Sequence, residues 1–387
     1  MSNRRSALIV FILLFFGTSS AFTQTSQFDI NQRPYYIWDY AFGKDSLENL
    51  YVIWGDSRNT RNNEGNEFGA SIYLQKFDKH MNPIGNNQRV TEEKITTSTY
   101  PGDILVLDDG RYFITYIDYE HITLSDGTSD IVRSVWITGF LTDGTIWHEK
   151  QRVDNPNANN DGRVFRPKIT KLSDKSFAIY WQDYRENGQK YSYSQKYTLN
   201  MEKVGNDIRI NPDEVESNTV FIHYIEENRL LVQYLNNLVQ YVDSSFNELG
   251  NLLPLDERGI VTPLGSDSLF QSYTNENSSE IYFKFLNADM SERSTPIRVN
   301  DDGTINPKRP PKIIQNPQGG FLLVWEDYRN GFPGVQRYSV SDIYGQLYDE
   351  NNAPIGSNKK LNQEPRELHQ GKLKTFLVNS QPIYFWV

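Results

Sequence analysis

Three copies of one short motif hold the side chains with the clearest chemical potential. Each copy places an aspartate two residues after a tryptophan, and an arginine two residues after that aspartate. A guanidinium is a forked donor that suits recognition of a carboxylate or a sugar. The candidate ligand-binding residues are the members of these copies and the Asp-Tyr pair of a fourth, degenerate copy: Asp56, Arg58, Asp118, Tyr119, Asp183, Tyr184, Arg185, Asp327, Tyr328 and Arg329.

The same residues also have a structural interpretation, and the sequence favours it. An aspartate accepts backbone N–H bonds where a chain leaves a strand, and an arginine can pair with a neighbouring repeat. A motif that recurs in several repeats usually serves each repeat, whereas a single ligand needs only one or two copies. The motif tryptophans are likewise expected to pack between repeats rather than to stack on a ligand. Ligand binding by these residues is left open.

One loop has the oxygen spacing that begins a calcium-binding loop. Asn157, Asn159 and Asp161 alternate along the chain and are followed by Gly162. The twelfth position of such a loop carries a bidentate carboxylate, but here it is Lys168. A flexible turn is therefore favoured over a calcium site, and no other cofactor is expected.

No unique catalytic cluster stands out in the sequence. There is no cysteine to serve as a nucleophile, the five histidines form no zinc-binding pair, and there is no Gly-x-Ser-x-Gly elbow. Carboxylates are plentiful, and a glycosidase pair depends on a separation that a sequence does not give. We expect a non-enzymatic binding or scaffold protein that takes a glycan, a peptide or a cell-surface protein. The alternative is a glycoside hydrolase or lyase.

The motif lies inside a longer repeated unit, which indicates the fold. Equivalent aromatic anchors from Trp54 to Trp386 span 332 residues in six steps, or about 55 residues per unit. Within each unit, short apolar alternations are separated by Gly, Asn, Asp and Pro, and no helical stripe is sustained. Four strands in about 50 residues are typical of a propeller blade. The sequence therefore predicts an all-β β-propeller of about seven four-stranded blades. A pair of β-sandwiches would not explain the repeated spacing.

The predicted propeller is one domain over residues 22–387, closed by strands from both ends of the chain. Residues 27–31 resemble the tail that closes other units, and their pairing with the C-terminal strands would remove exposed sheet edges. By propeller geometry, the loops after the second strands and between units meet at one face, around a central channel, where a ligand would bind. The expected blades are approximately 33–91, 98–154, 163–211, 216–256, 258–300, 307–362, and 366–387 closed with 27–31.

Residues 1–21 are expected to be a cleaved signal peptide. Arg4 and Arg5 precede the apolar run 7–16, and small residues lead to a cut after Ala21. The alternative is an uncleaved anchor, but ten apolar residues span only about 15 Å as a helix. We therefore expect an exported protein, periplasmic or extracellular, without a membrane span after cleavage.

The formal net charge of −10 bears on the partners. An acidic surface repels phosphate backbones, so nucleic acid is not an expected partner. The acidic residues are dispersed along the chain, as on an ordinary solvated surface. We expect a monomer.

The repeat resembles those of a known group of proteins. The segment 324–331 reads VWEDYRNG, and it is followed by DIYGQ at 342–346 and PIG at 354–356. These motifs resemble repeats in secreted, propeller-like proteins of Bacteroidetes and related bacteria, mostly of unknown function. The resemblance implies a propeller fold and an exported protein, and it implies no particular reaction.

Overall fold

The protein is described from a computed structural model, and its contacts divide it into two compact units. One unit centres on Arg33–Leu252, and the other joins Ala7–Gln32 to Leu253–Val387. The residues that the structure describes are 9–14, 23–30, 37–58, 70–92, 98–123, 127–155, 164–186, 188–212, 215, 220–234, 237–255, 257, 259–304, 306, 308–316, 319–330, 341–362, 373–378 and 381–386.

The described part of the chain is built from strands, and none of its residues is in a helix. It therefore contains no helix that could cross a membrane. The first two strands, which belong to the second unit, are β1 (Ile9–Leu14) and β2 (Thr23–Asp29).

The first unit contains three antiparallel sheets of four consecutive strands and the first three strands of a fourth sheet. Blade 1 comprises β3 (Ile37–Lys44), β4 (Leu50–Asp56), β5 (Ser71–Phe77) and β6 (Pro83–Arg89). Blade 2 comprises β7 (Thr99–Val106), β8 (Tyr112–Thr123), β9 (Ser129–Phe140) and β10 (Ile146–Arg152). Blade 3 comprises β11 (Val164–Ser173), β12 (Ser176–Glu186), β13 (Gln189–Thr198) and β14 (Lys203–Arg209). Blade 4 comprises β15 (Val220–Glu226), β16 (Arg229–Tyr234) and β17 (Leu238–Val242), and its sheet order continues to β18 (Leu253–Pro254).

The second unit contains two further sheets of consecutive strands and one composite sheet. Blade 5 comprises β19 (Gly259–Pro263), β20 (Ser268–Thr274), β21 (Ile281–Asn287) and β22 (Ile297–Arg298). Blade 6 comprises β23 (Lys312–Gln315), β24 (Phe321–Asp327), β25 (Asp342–Tyr348) and β26 (Pro354–Lys360). The composite sheet has the order β2-β1-β28-β27, with β27 (Lys374–Val378) and β28 (Gln381–Trp386) from the C-terminal end.

The predicted all-β propeller of four-stranded blades is confirmed. Six blades are each made of four consecutive strands, slightly fewer than the expected count of about seven, and the remaining sheet is the composite one. In that sheet a strand from each end of the chain pairs, with Ile9 opposite Trp386. The N-terminal strand in contact with β28 is β1, however, rather than the expected segment 27–31. Strand β2 pairs with the other edge of β1, with Asp29 opposite Ile9.

Neighbouring blades within a unit bury the apolar side chains that lie between them. Strands β4 and β24 are buried at every position, which explains their nearly continuous apolar sequences. Trp181 lies in one cluster with Phe113 and Val135, which belong to the preceding blade. The motif tryptophan therefore packs between blades, as the sequence predicted.

A repeated side-chain contact holds the last strand of a blade beside its third strand. A backbone N–H of the third strand donates to a side-chain oxygen 19 residues later in five blades, as from Ser192 to Asn211 Oδ1 at 2.6 Å. The other four acceptors are Thr91, Asp154, Asn300 and Asn362. This contact explains why the tails that close the repeats have similar sequences.

Candidate functional site

In blade 3, the aspartate of the motif is a fully buried acceptor of three groups. The Trp181 indole N–H lies 3.3 Å from Asp183 Oδ2, and the Arg185 backbone N–H lies 3.0 Å from Asp183 Oδ1. The Arg185 guanidinium donates to Asp183 through Nε at 2.9 Å and Nη2 at 2.7 Å. The carboxylate is 0% exposed, so its charge is neutralised inside the blade.

The other two complete motifs repeat this geometry. The Trp54 and Trp325 indoles each donate to the following aspartate at 2.9 Å. Arg58 and Arg329 donate through their backbone N–H and Nε groups to Asp56 and Asp327. Each of the three arginines also lies over a tyrosine ring of the third strand, 3.9–4.2 Å from the ring centroid: Tyr73, Tyr193 and Tyr344.

The far end of each arginine reaches the fourth strand of its own blade. Arg58 donates to Asn87 at 3.2 Å, and Arg185 donates to Asp207. Although burial lowers it, the hydrogen bonds and charges of Asp183 and Asp207 raise the pKa of Arg185. These arginines therefore pair within their own blade, and their contacts support the structural interpretation of the motif. Ligand binding by the Asp-Arg pairs stays a prediction.

In blade 6, the loop before the first strand adds charges to the motif. Asp301 and Asp302 each lie 3.4 Å from Arg329, and the buried Lys308 ammonium lies 3.2 Å from Asp302 Oδ2. Burial opposes ionisation of Asp302, but hydrogen bonds from Asn300 and the nearby cations bring its pKa to about 2. The extra acids and cations thus compensate one another.

Blade 2 departs from the motif. Tyr116 replaces the tryptophan, and its hydroxyl lies 3.1 Å from Thr138 Oγ1. Asp118 is half-buried, and Glu120 stands where the other copies have arginine. An open cleft lies here between blades 1 and 2, and it is lined by Val90, Thr91, Glu92, Thr99, Tyr116, Asp118, Thr138, Ile146, Glu149 and Lys150.

Among the described residues, blade 2 also has the largest number of paired positions between a second and a third strand. In blade 6 the paired strands end at the motif residue Asp327, opposite Asp342. In blade 2 they continue for five more pairs beyond Asp118, as far as Thr123 opposite Ser129. The first of these pairs places Tyr119 directly opposite Arg133. Because side chains alternate along a strand, this pair lies on the other face from Asp118.

That face carries an arginine held against two aromatic rings. The guanidinium carbon of Arg133 lies 5.0 Å from the Tyr119 ring centroid and 4.5 Å from that of Phe165, which begins blade 3. The Arg133 Nε is buried and has no hydrogen-bond acceptor in the described part of the chain. Among the described residues, no carboxylate forms an ion pair with Arg133.

Other aromatic and cationic residues surround this arginine. The Tyr100 and Tyr119 rings are 4.8 Å apart, and the Phe165 and Tyr184 rings are 5.9 Å apart. The Lys190 ammonium lies 5.7 Å from the Phe165 centroid and 5.4 Å from that of Tyr184. We call this group the Arg133 cluster; its members are Tyr100, Tyr119, Arg133, Phe165, Tyr184 and Lys190.

The Arg133 cluster has the chemistry of an anion-binding surface. A guanidinium stacked on aromatic rings still has its N–H groups, which lie in its plane, to offer to an acceptor. Carboxylate oxygens match two such donors at once. All six side chains are partly exposed, so a ligand in solution can reach the cluster.

The sequence identified only part of this site. Tyr119 and Tyr184 were candidates, and the structure brings them into one cluster. Tyr328, the corresponding residue of blade 6, is buried at 3% exposure. The calcium candidates Asn157, Asn159 and Asp161 lie outside the described residues. Among those that are described, no group of three acidic or histidine residues could hold a metal ion.

Four members of the Arg133 cluster were missed: Tyr100, Arg133, Phe165 and Lys190. One signal in the sequence pointed towards them, namely the replacement of the motif arginine by Glu120. That exception marks blade 2 as different, but it does not show which cation takes part instead.

Comparison with known proteins yields similar folds only. No family model matches the sequence, and no curated protein matches it. A protein of unknown function from Dyadobacter fermentans is 12% identical with a TM-score of 0.49, covering 81% of this chain and 94% of that chain. The Neurospora crassa Pan2 WD40 domain is 10% identical with a TM-score of 0.46, covering 89% and 88%. An α-L-arabinofuranosidase from Lactobacillus brevis is 9% identical with a TM-score of 0.39, covering 85% and 96%. At these values we draw nothing about this chain's function from them.

Proposed function

We propose that this protein is an exported, non-enzymatic binding propeller whose ligand contacts the Arg133 cluster. The observation that carries the proposal is the Arg133 guanidinium, which lies against two rings without an ion-pair partner among the described residues. The terminal nitrogens of Arg133 also have no acceptor among the described residues. A ligand that supplies one gains a charge-assisted hydrogen bond.

The side chains of this cluster are of the kinds found in binding sites. Burial raises the pKa of Tyr119, although the Arg133 charge opposes the rise, so its hydroxyl keeps its proton at neutral pH. The cluster therefore presents hydroxyl and guanidinium donors and aromatic surface, as a binding site requires. The ligand classes are those expected from the sequence: a glycan, a peptide or a cell-surface protein.

The proposal predicts that Arg133→Met greatly weakens ligand capture. Methionine keeps an apolar stem against the rings but removes the charged donors. We expect capture by an array of immobilised glycans and peptides to fall about tenfold or more. The melting temperature should change little, because the lost donor has no protein acceptor.

The matched control is Arg111→Met in the same blade. The Arg111 guanidinium also lies over an aromatic ring, that of Trp147 at 4.3 Å, but it is paired with Asp109. This variant should bind the array like the wild type. Equal capture by the Arg133 variant and the wild type would contradict the proposed site.

Export makes a separate prediction about the N-terminus. Cleavage after Ala21 would remove β1 and leave β2, which contains part of the segment first expected to pair with the C-terminal strands. Expressed from its own start codon in a bacterium, the protein should leave the cytoplasm and begin at Phe22. Fractionation and intact-mass measurement test this. A full-length cytoplasmic product would show that the export prediction is wrong.

A further inference from the structure

We infer that the Arg133 cluster binds neighbouring carboxylates of an acidic polysaccharide, an inference that rests on the proposed function. The ligand class follows from three features of the cluster: the donors left on Arg133, the position of a second cation, and the hydroxyl groups around both.

The first feature is the set of Arg133 nitrogen atoms that a ligand can approach. The guanidinium carbon lies 5.0 Å from the Tyr119 centroid and 4.5 Å from the Phe165 centroid, and its Nε is buried. The terminal nitrogens are therefore the part of the guanidinium that a ligand can approach. A carboxylate can bind both of them together through its two oxygens. A neutral hydroxyl would accept only one of those bonds.

The second feature is Lys190, whose ammonium group lies near the same Phe165 ring. In the described parts of the chain, neither Arg133 nor Lys190 forms an ion pair, although the protein carries a formal net charge of −10. The two cations stand around one ring within reach of successive charges on a polymer. An otherwise acidic surface repels polyanions, so such a polymer would bind at this place rather than over the whole surface.

The third feature favours a saccharide over an acidic peptide. Tyr100, Tyr119 and Tyr184 bring phenol hydroxyls to the cluster, and a hydroxyl both donates and accepts hydrogen bonds. Sugar hydroxyls need partners of this kind, and sugar rings pack on aromatic surface. The cluster thus pairs cations for uronate carboxylates with tyrosines for the rest of each sugar.

Binding of polygalacturonate and of its fully methyl-esterified form tests the inference directly, because esterification removes the carboxylate charge and leaves the sugar rings and their hydroxyl groups unchanged. We expect the full-length protein to bind polygalacturonate, as measured by affinity electrophoresis and calorimetry. Its affinity for the ester should be lower by about tenfold or more. Relative to the wild type, the affinity for polygalacturonate should fall about tenfold in Arg133→Met and a few-fold in Lys190→Met, and it should be unchanged in Arg111→Met. The affinity should fall as salt is added.

Each of the other possible binding results would overturn a particular part of the inference. Equal binding of the acid and the ester would rule out carboxylate recognition. Binding of poly-glutamate without binding of polygalacturonate or alginate would assign an acidic peptide instead. Capture of a neutral glycan that depends on Arg133, with no uronate binding, would overturn this inference and leave the proposed function standing. Uronate binding unaffected by Arg133→Met would show that the uronate binds at another site.

Discussion

Replacing Asp183 with alanine is expected to lower the free energy of unfolding by about 3–5 kcal/mol. This carboxylate is fully buried and accepts bonds from the Trp181 indole and from Arg185. Without it, a buried indole N–H loses its acceptor and a largely buried guanidinium keeps only Asp207 as a charged partner. Urea denaturation of the two proteins measures the difference.

Blade 2 provides the matched control in Asp118→Ala. Asp118 occupies the same position of the repeat, but Tyr116 and Glu120 stand where the other copies have tryptophan and arginine, and Asp118 is half-buried. Its loss should cost about 1 kcal/mol. Equal costs for the two variants would contradict the structural account of the motif. A loss of ligand capture in Asp183→Ala with unchanged stability would favour the ligand interpretation instead.

The repeats could be predicted from the sequence because every blade has to pack four strands and satisfy their backbone groups in a similar way. Gln75, Gln195 and Gln346 align in the third strands, and each donates to two carbonyl groups near the start of the fourth strand. A side chain that satisfies backbone groups in this way stabilises each copy that carries it. Recurrence along the chain therefore identified the fold and the residues that stabilise each blade.

The Arg133 cluster could not be predicted in the same way because it does not recur. Arg133 meets Tyr119 only because the blade 2 hairpin extends beyond Asp118, and it meets Phe165 only because blade 3 packs alongside. Neither the strand length nor the contact between blades is encoded in a local spacing. In a repeat protein, a site for one ligand is therefore expected where a copy deviates, and its partners come from the neighbouring copy.

The N-terminal region shows a second limit of sequence analysis. The residues of β1, Ile9–Leu14, form an apolar run. Such a run suits the core of an export signal and equally suits a strand, because β-branched and aromatic residues favour strands. Hydrophobicity alone does not separate these roles, so the cleaved signal stays a prediction, while residues 9–14 form a strand in the full-length chain.

Replacing Gly320 with alanine is the second change expected to have a large effect. Gly320 has a φ of +73°, and an added Cβ would lie 2.2 Å from the Tyr348 carbonyl oxygen. Its neighbour Phe321 pairs with Tyr348, so the methyl group would force β24 away from β25 at the start of their contact. Backbone strain and overlap together should lower the free energy of unfolding by about 3–4 kcal/mol, measured by urea denaturation.

Gly356→Ala separates the two causes of that loss. Gly356 has nearly the same backbone conformation, with a φ of +71°, but nothing lies within 4 Å of the position of an added Cβ. This variant should lose only about 1 kcal/mol, the cost of the left-handed conformation. The difference between the variants measures the close approach of β25 to Gly320. If the two losses are equal, steric overlap contributes nothing, and glycine is required at both turns for its backbone conformation alone.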